Sequence, residues 1–213
     1  MTSFRRKGGS ERPPVRLHIG SGLRHLPGWI NVDHQRHPGV DRVLDVRRGL
    51  PFTDVAAIFA EHFLEHLPLD EGTAFLRRCR AILRPDGILR LSTPNLAWVI
   101  ATHFRVDDTI DPEGAFSDCV GMNRAFYGWG HRFLYNRGTL ALVLRSAGFA
   151  DVSFHAYGES ANPDLRGLEG HEKSADSPEL PHVLIAEAWG SVASPPALPQ
   201  LLVTELERDL RSR

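Results

Sequence analysis

The chain has little cysteine: Cys79 and Cys119 are its only two, far apart and in no paired spacing. A disulfide framework and a thiolate zinc cluster are therefore excluded, and a reducing compartment is the fit. Charge of one sign is lacking too. Lys+Arg 25 against Asp+Glu 26 leaves a net charge of −1, so the electrostatic footprint of non-specific DNA or RNA binding is missing and no nucleic-acid partner is expected. No apolar run approaches the roughly 18 residues that span a bilayer. The start of the chain, polar and basic through Pro14, has no hydrophobic segment after Arg5-Arg6-Lys7, so no membrane partner is expected and a cytoplasmic location is. No internal repeat is visible. What is present is 42% hydrophobic and 24% charged residues, the balance of one globular domain with a sizeable core, and as many as 11 histidines.

Residues 1–14 lack periodicity and end in Pro13-Pro14, which reads as a disordered basic arm. Val15 to Ile19 alternates as a strand entering the tight turn Gly20-Ser21-Gly22, and Trp29 to Val32 makes a second strand ending at Asp33. Only about one helical turn fits between them, so the first crossover is shortened. Arg42 to Leu44 and Val55 to Ala60 read as strands three and four. Phe75, Leu76, Cys79, Ile82 and Leu83 recur at helical spacing, which predicts an amphipathic helix over Leu69 to Leu83 stopped by Pro85-Asp86-Gly87. Ile88 to Ser92 is a fifth strand, followed by an irregular stretch. A helix over Gly138 to Ala147 and strands at Val152 to Phe154 and Val183 to Ala186 complete the pattern. This is an α/β chain: a mostly parallel seven-stranded sheet with helices on both faces, over residues 15–190. Residues 191–213 are a proline linker and an amphipathic helix whose Leu202, Leu206 and Leu210 form one stripe. That stripe is expected to pack on the domain or on a second subunit, as in a homodimer, since Glu205, Glu207 and Asp209 oppose anionic lipid.

A strand ending in Gly-x-Gly shows only that the backbone turns sharply and that a ligand can come close. The acids after the next two strands add to it. Asp33 can accept hydrogen bonds from two vicinal ribose hydroxyls, and Asp45, one strand further out, can meet an adenine edge. Together they describe an adenosine laid across the carboxyl ends of adjacent parallel strands, although Asp also caps turns after strands. A dinucleotide fingerprint would have a third Gly where His25 stands, and no Gly-Lys-Ser/Thr follows the loop, so a pyrophosphate or Walker-type ligand is disfavoured.

At this point the sequence resembles the class I S-adenosylmethionine-dependent methyltransferases, and among them the small type 11-like group found in sugar and polysaccharide pathways. The resemblance covers about residues 15–190. It rests on Leu17-His18-Ile19-Gly20-Ser21-Gly22, Gly28-Trp29-Ile30-Asn31-Val32-Asp33, Asp45 with Leu50-Pro51-Phe52, Glu61-His62-Phe63-Leu64-Glu65-His66-Leu67, Leu83-Arg84-Pro85-Asp86-Gly87 running into Leu91-Ser92-Thr93-Pro94, and Arg132-Phe133-Leu134-Tyr135 leading to Ala147-Gly148-Phe149. It implies a Rossmann-like methyltransferase domain with S-adenosyl-L-methionine as cofactor. Gly20 and Gly22 would lie against its methionine part, Asp33 would hold the ribose, Asp45 the adenine amino group, and His62 would sit beside the cofactor. His18, Ser21 and Val46 complete the implied cofactor-binding set. Three positions depart from the pattern. His18 stands where an acid is common, Val55-Ala56-Ala57 where an Asp often precedes strand four, and Pro85-Asp86-Gly87 where Pro-Gly-Gly is usual.

Methyl transfer needs nucleophile, methyl and sulfur held in line, and a hydroxyl acceptor also needs its proton taken. His62, His66 and His131 are the candidate bases. The expected acceptor is a small molecule or a sugar or glycan-linked hydroxyl, with a non-catalytic scaffold of the same fold as the rival. His62, Glu65 and His66 have the i, i+3, i+4 spacing that could hold a divalent cation on one helical turn. A helix cap with a buried Glu–His pair is the plainer explanation, and no metal is expected. Asn162 to Glu172 reads as a long polar insertion whose Arg166, Glu169 and His171 would reach a hydroxyl-rich acceptor.

Overall fold

The computed structural model describes residues 13–104, 111–171, 177 and 179–211. Residues 1–12, the bulk of the expected basic arm, and Glu172 lie outside them. Seven strands form one sheet: β1 (Val15–Ile19), β2 (Ile30–Asp33), β3 (Arg42–Val43), β4 (Val55–Glu61), β5 (Leu83–Pro94), β6 (Asp151–His155) and β7 (Val183–Trp189). Their order is β3-β2-β1-β4-β5-β7-β6. The first five run parallel, while β7 lies antiparallel between β5 and β6. The chain leaves β1 toward β2 on one side and returns to β4 on the other. The β1–β4 boundary is thus the switch point at which open α/β sheets bind ligands.

Alternation along each strand divides the core in two. Leu17, Ile19, Ile58, Ala60, Leu89 and Leu91 face one side, beneath Phe75, Leu76 and Cys79 of α1 (Leu69–Ile82) and Leu140, Val143 and Leu144 of the helix Arg137–Ser146. Ala57 and Phe59 face the other side, where Trp29, Leu165 and Leu168 cover them. Over this part of the sheet, loop side chains supply the apolar cover. The polar insertion is therefore partly core, because Leu165 is wholly buried.

The helix does not need Pro85-Asp86-Gly87 as its stop. It ends at Ile82, and Leu83 is already paired with Val55 of β4. The next pair is Ala57 with Ile88, so Arg84 to Gly87 bulge out of the ladder. The stretch expected to be irregular carries two helices, α2 (Leu96–His103) and α3 (Pro112–Tyr127). Asn95 caps the first by accepting from Ala97 N, and Asp111 caps the second by accepting from Gly114 N ahead of Pro112. With Arg137–Ser146 as α4, the last helix is α5 (Gln200–Arg211). Of its leucine stripe, Leu202 is 65% and Leu210 44% exposed, and Leu206 is partly buried. Among the described residues no helix is long and apolar enough to cross a membrane.

Candidate functional site

The carboxyl ends of β1, β2 and β4 converge on the Gly20-Ser21-Gly22 turn. Gly20 has φ +67°, and a Cβ there would lie 2.6 Å from the Phe63 ring, so both backbone and packing require glycine. The turn is tied to β2 by Ser21 N donating to Val32 O and by Gly22 N donating to Asp33 Oδ2 at 2.9 Å. Gln35 N donates to the other Asp33 oxygen at 2.8 Å. Asp33 is buried, and two backbone N–H groups orient it, with the exposed His34 ring 3.2 Å from Oδ1.

Beside this turn is a cleft of about 160 Å³ lined by His18, Gly20, Ser21, Arg24, Glu61, Gly170 and His171. Glu61, the last residue of β4, is quoted from the sequence only within the Glu61–Leu67 motif and given no site role there. It accepts from Arg24 Nη1 at 2.9 Å and from Gly170 N at 2.9 Å, and so draws the insertion over the cleft. Its partner lies 109 residues away in the chain, a pairing that no local pattern announces. His18 is buried in the wall, stacked on Phe59 with ring centres 5.3 Å apart, and its Nδ1 lies 3.1 Å from Asn31 Oδ1. The amide oxygen can only accept, so His18 Nδ1 carries the proton. Burial lowers the pKa of His18 and keeps the imidazole neutral. Ser21 Oγ is buried without a hydrogen-bond partner among the described residues.

Asp45 and Val46 follow β3 and do not line this cleft. Arg47 grips the Asp45 carboxylate through Nε and Nη2, both at 2.9 Å, and these hydrogen bonds hold its pKa down to about 2. Any adenine contact at Asp45 would be shared with that guanidinium.

The insertion differs from the expected acceptor-reaching loop. Glu169 is buried and accepts from Arg90 Nε at 2.7 Å, and the Arg166 guanidinium donates to the Ser160 carbonyl. Of its three singled-out residues only His171 reaches the cleft.

The three candidate bases gather around Glu65, which is wholly buried. His62 has the left-handed φ of +46°, and its Nδ1 lies 3.1 Å from Glu65 Oε1. Its ring centre is 4.1 Å from that of His171, which links Glu65 to the cleft. The other Glu65 oxygen accepts from Thr93 Oγ1 at 3.1 Å, and its carbonyl accepts from Arg132 N at 2.7 Å. This backbone bond brings His131 beside His66, with ring centres 5.3 Å apart. The expected Glu–His pair is present. His66, one residue beyond Glu65 in the single 3₁₀ turn Leu64–His66, meets His131 instead of His62.

No family model matches the chain, and no curated protein matches it. Solved structures do. The chain is similar to a possible exported protein from Bordetella parapertussis at TM-score 0.50 and 15% identity, over 85% of this chain and 63% of that one. It is similar to a SAM-dependent methyltransferase from Archaeoglobus fulgidus at TM-score 0.50 and 17% identity, over 82% of this chain and 85% of that one. The mitomycin 7-O-methyltransferase MmcR aligns at TM-score 0.47 and 14% identity, over 84% of this chain and 49% of that one. The chain thus spans less than two thirds of the Bordetella protein and about half of MmcR. At such identities the likeness is one of fold: a seven-stranded, mostly parallel, Rossmann-like sheet shared with a methyltransferase.

Proposed function

We propose that this chain, with its methyltransferase fold, binds S-adenosyl-L-methionine and transfers the methyl group to a hydroxyl of a small molecule or of a sugar or glycan-linked acceptor. The observation that carries the reading is the Gly22–Asp33 bond at the switch point. A buried carboxylate held by backbone N–H groups stands at the end of β2, next to a glycine turn with open space above Gly22. The orphaned Ser21 hydroxyl in the cleft wall fits the same ligand, since a buried polar atom without a partner is costly until something bonds to it.

The cofactor, when bound, supplies an electrophilic methyl group on a sulfonium. The rest falls to the chain. Asp33 accepts from the ribose hydroxyls, and the Gly20–Gly22 turn lets the ligand approach the backbone closely. His18 is held neutral by burial, so it adds no positive charge beside a sulfonium. His62, oriented by Glu65, is the candidate to take the acceptor proton, and His66 and His131 are candidates where no ion engages them.

A second reading, a non-catalytic scaffold, draws support from the closure of Gly170 onto Glu61. The remaining cleft, about 160 Å³, is smaller than the roughly 300 Å³ at the low end of ligand pockets.

Calorimetric titration with S-adenosylhomocysteine tests the reading, with NAD and ATP as controls. Micromolar binding that Asp33→Ala weakens at least tenfold is the expected result. No binding by folded protein refutes it. Binding without turnover across a panel of sugar and glycan acceptors favours the scaffold.

A further inference from the structure

We infer that Glu65, His66 and His131 form a site for a divalent transition-metal ion. One ligating atom from each comes within 4.8 Å of the others, a spacing that a single ion can bridge with little movement. Two imidazoles and one carboxylate make a donor set suited to zinc, iron or cobalt.

The surroundings of each residue agree. His131 Nδ1 lies 2.7 Å from the Ala125 carbonyl oxygen, and His66 Nδ1 lies 3.4 Å from that of Gly130. A carbonyl oxygen can only accept, so both rings carry their proton on Nδ1. Nε2 is left as the nitrogen with a free lone pair. A ligating histidine characteristically donates its other N–H to a backbone carbonyl, which fixes both tautomer and ring orientation. Glu65, the anionic member, is wholly buried and held by the Thr93 hydroxyl. Trp129, two residues before His131, has φ +56°, a conformation a tryptophan rarely adopts. Backbone strain of this kind persists where the surrounding structure holds it, and here it lies in the turn that delivers His131. His62 hydrogen-bonds Glu65 Oε1 and contacts His171, but does not belong to the group of mutually close ligand atoms. The ion's third ligand therefore comes from 65 residues downstream of His66 and not from the local turn.

If the methyl-transfer reading also holds, an ion here would bind the acceptor hydroxyl and lower its pKa, and the proton would leave to solvent or to His62. This role rests on that reading, while the metal site itself does not.

The 213-residue chain, stripped with EDTA and titrated with Zn²⁺, tests the site. The expected result is about one ion per chain at micromolar affinity or tighter, with Co²⁺ giving visible d–d absorption of nitrogen and oxygen ligation. His66→Ala and His131→Ala should each weaken Zn²⁺ at least tenfold, and His34→Ala, on an exposed position, should not. His131→Gln serves if the alanine variant melts early. No Zn²⁺ binding below about 100 μM, or wild-type affinity retained in both histidine variants, overturns the proposal. S-adenosylhomocysteine titration of the same samples reports separately on the cofactor.

Discussion

Arg90 on β5 and Glu187 on β7 meet at 2.6 Å with the guanidinium wholly buried. The same guanidinium donates to Glu169 at 2.7 Å, and Ser160 Oγ donates to Glu187 Oε1 at 2.7 Å. Arg90 thus fastens the Glu169 end of the insertion to the sheet face, and Glu187 holds Ser160, just ahead of the insertion's start. Replacing Arg90 strands two carboxylates away from water. Arg90→Met should destabilise the chain by about 3–5 kcal/mol, measured by urea denaturation, and adding Glu169→Gln and Glu187→Gln should recover part of the loss.

Leu165 fills the second core against Phe59 and Trp29 without being charged. Leu165→Ala should cost about 2–5 kcal/mol through the lost burial and the cavity it leaves. Because the insertion also closes the cleft through Gly170, the variant should take up S-adenosylhomocysteine faster in stopped-flow measurements, while the equilibrium melt reports the stability loss.

His18 contributes a pH dependence whose sign follows from burial. Its folded pKa lies below the ordinary 6.5, so between the two values the unfolded chain binds more protons. The contribution is full above pH 6.5 and shrinks as pH falls toward the folded pKa. His18→Gln removes the titration. The stability gap between wild type and variant should therefore narrow on acidification through that window, as followed by thermal melts at several pH values.

α5 lies largely exposed, with Leu201 82% and Leu202 65% accessible. Deleting residues 200–213 should shift the melting temperature by no more than about 2 °C, as for loss of surface residues. Sedimentation of the same pair tests the homodimer expectation, since a dimer built on these leucines should dissociate on truncation.

Much of this molecule is legible along the chain. Val15–Ile19, the glycine turn and Asp33 are neighbours in sequence, and their geometry comes from strand alternation and from the φ that Gly20 alone tolerates. The helix Leu69–Ile82 shows its period because one side is core and the other solvent. α2 hides for the opposite reason: Leu96 to Ala101 is apolar all round and has no alternation to read. α3 did leave a signal in Asp111-Pro112, a capping residue followed by proline at the first helical position.

The sequence by itself determined the α/β class, the glycine turn and the acids that follow the strands, because these are set by contacts a few residues apart. Only the tertiary structure decided that Glu61 closes the cleft on Gly170, that Glu169 is buried on Arg90, and that His66 faces His131 rather than His62. Those partners stand 109, 79 and 65 residues apart. Charged and polar side chains carry no periodicity that names a distant partner, and only sheet order and loop packing bring them within hydrogen-bond reach.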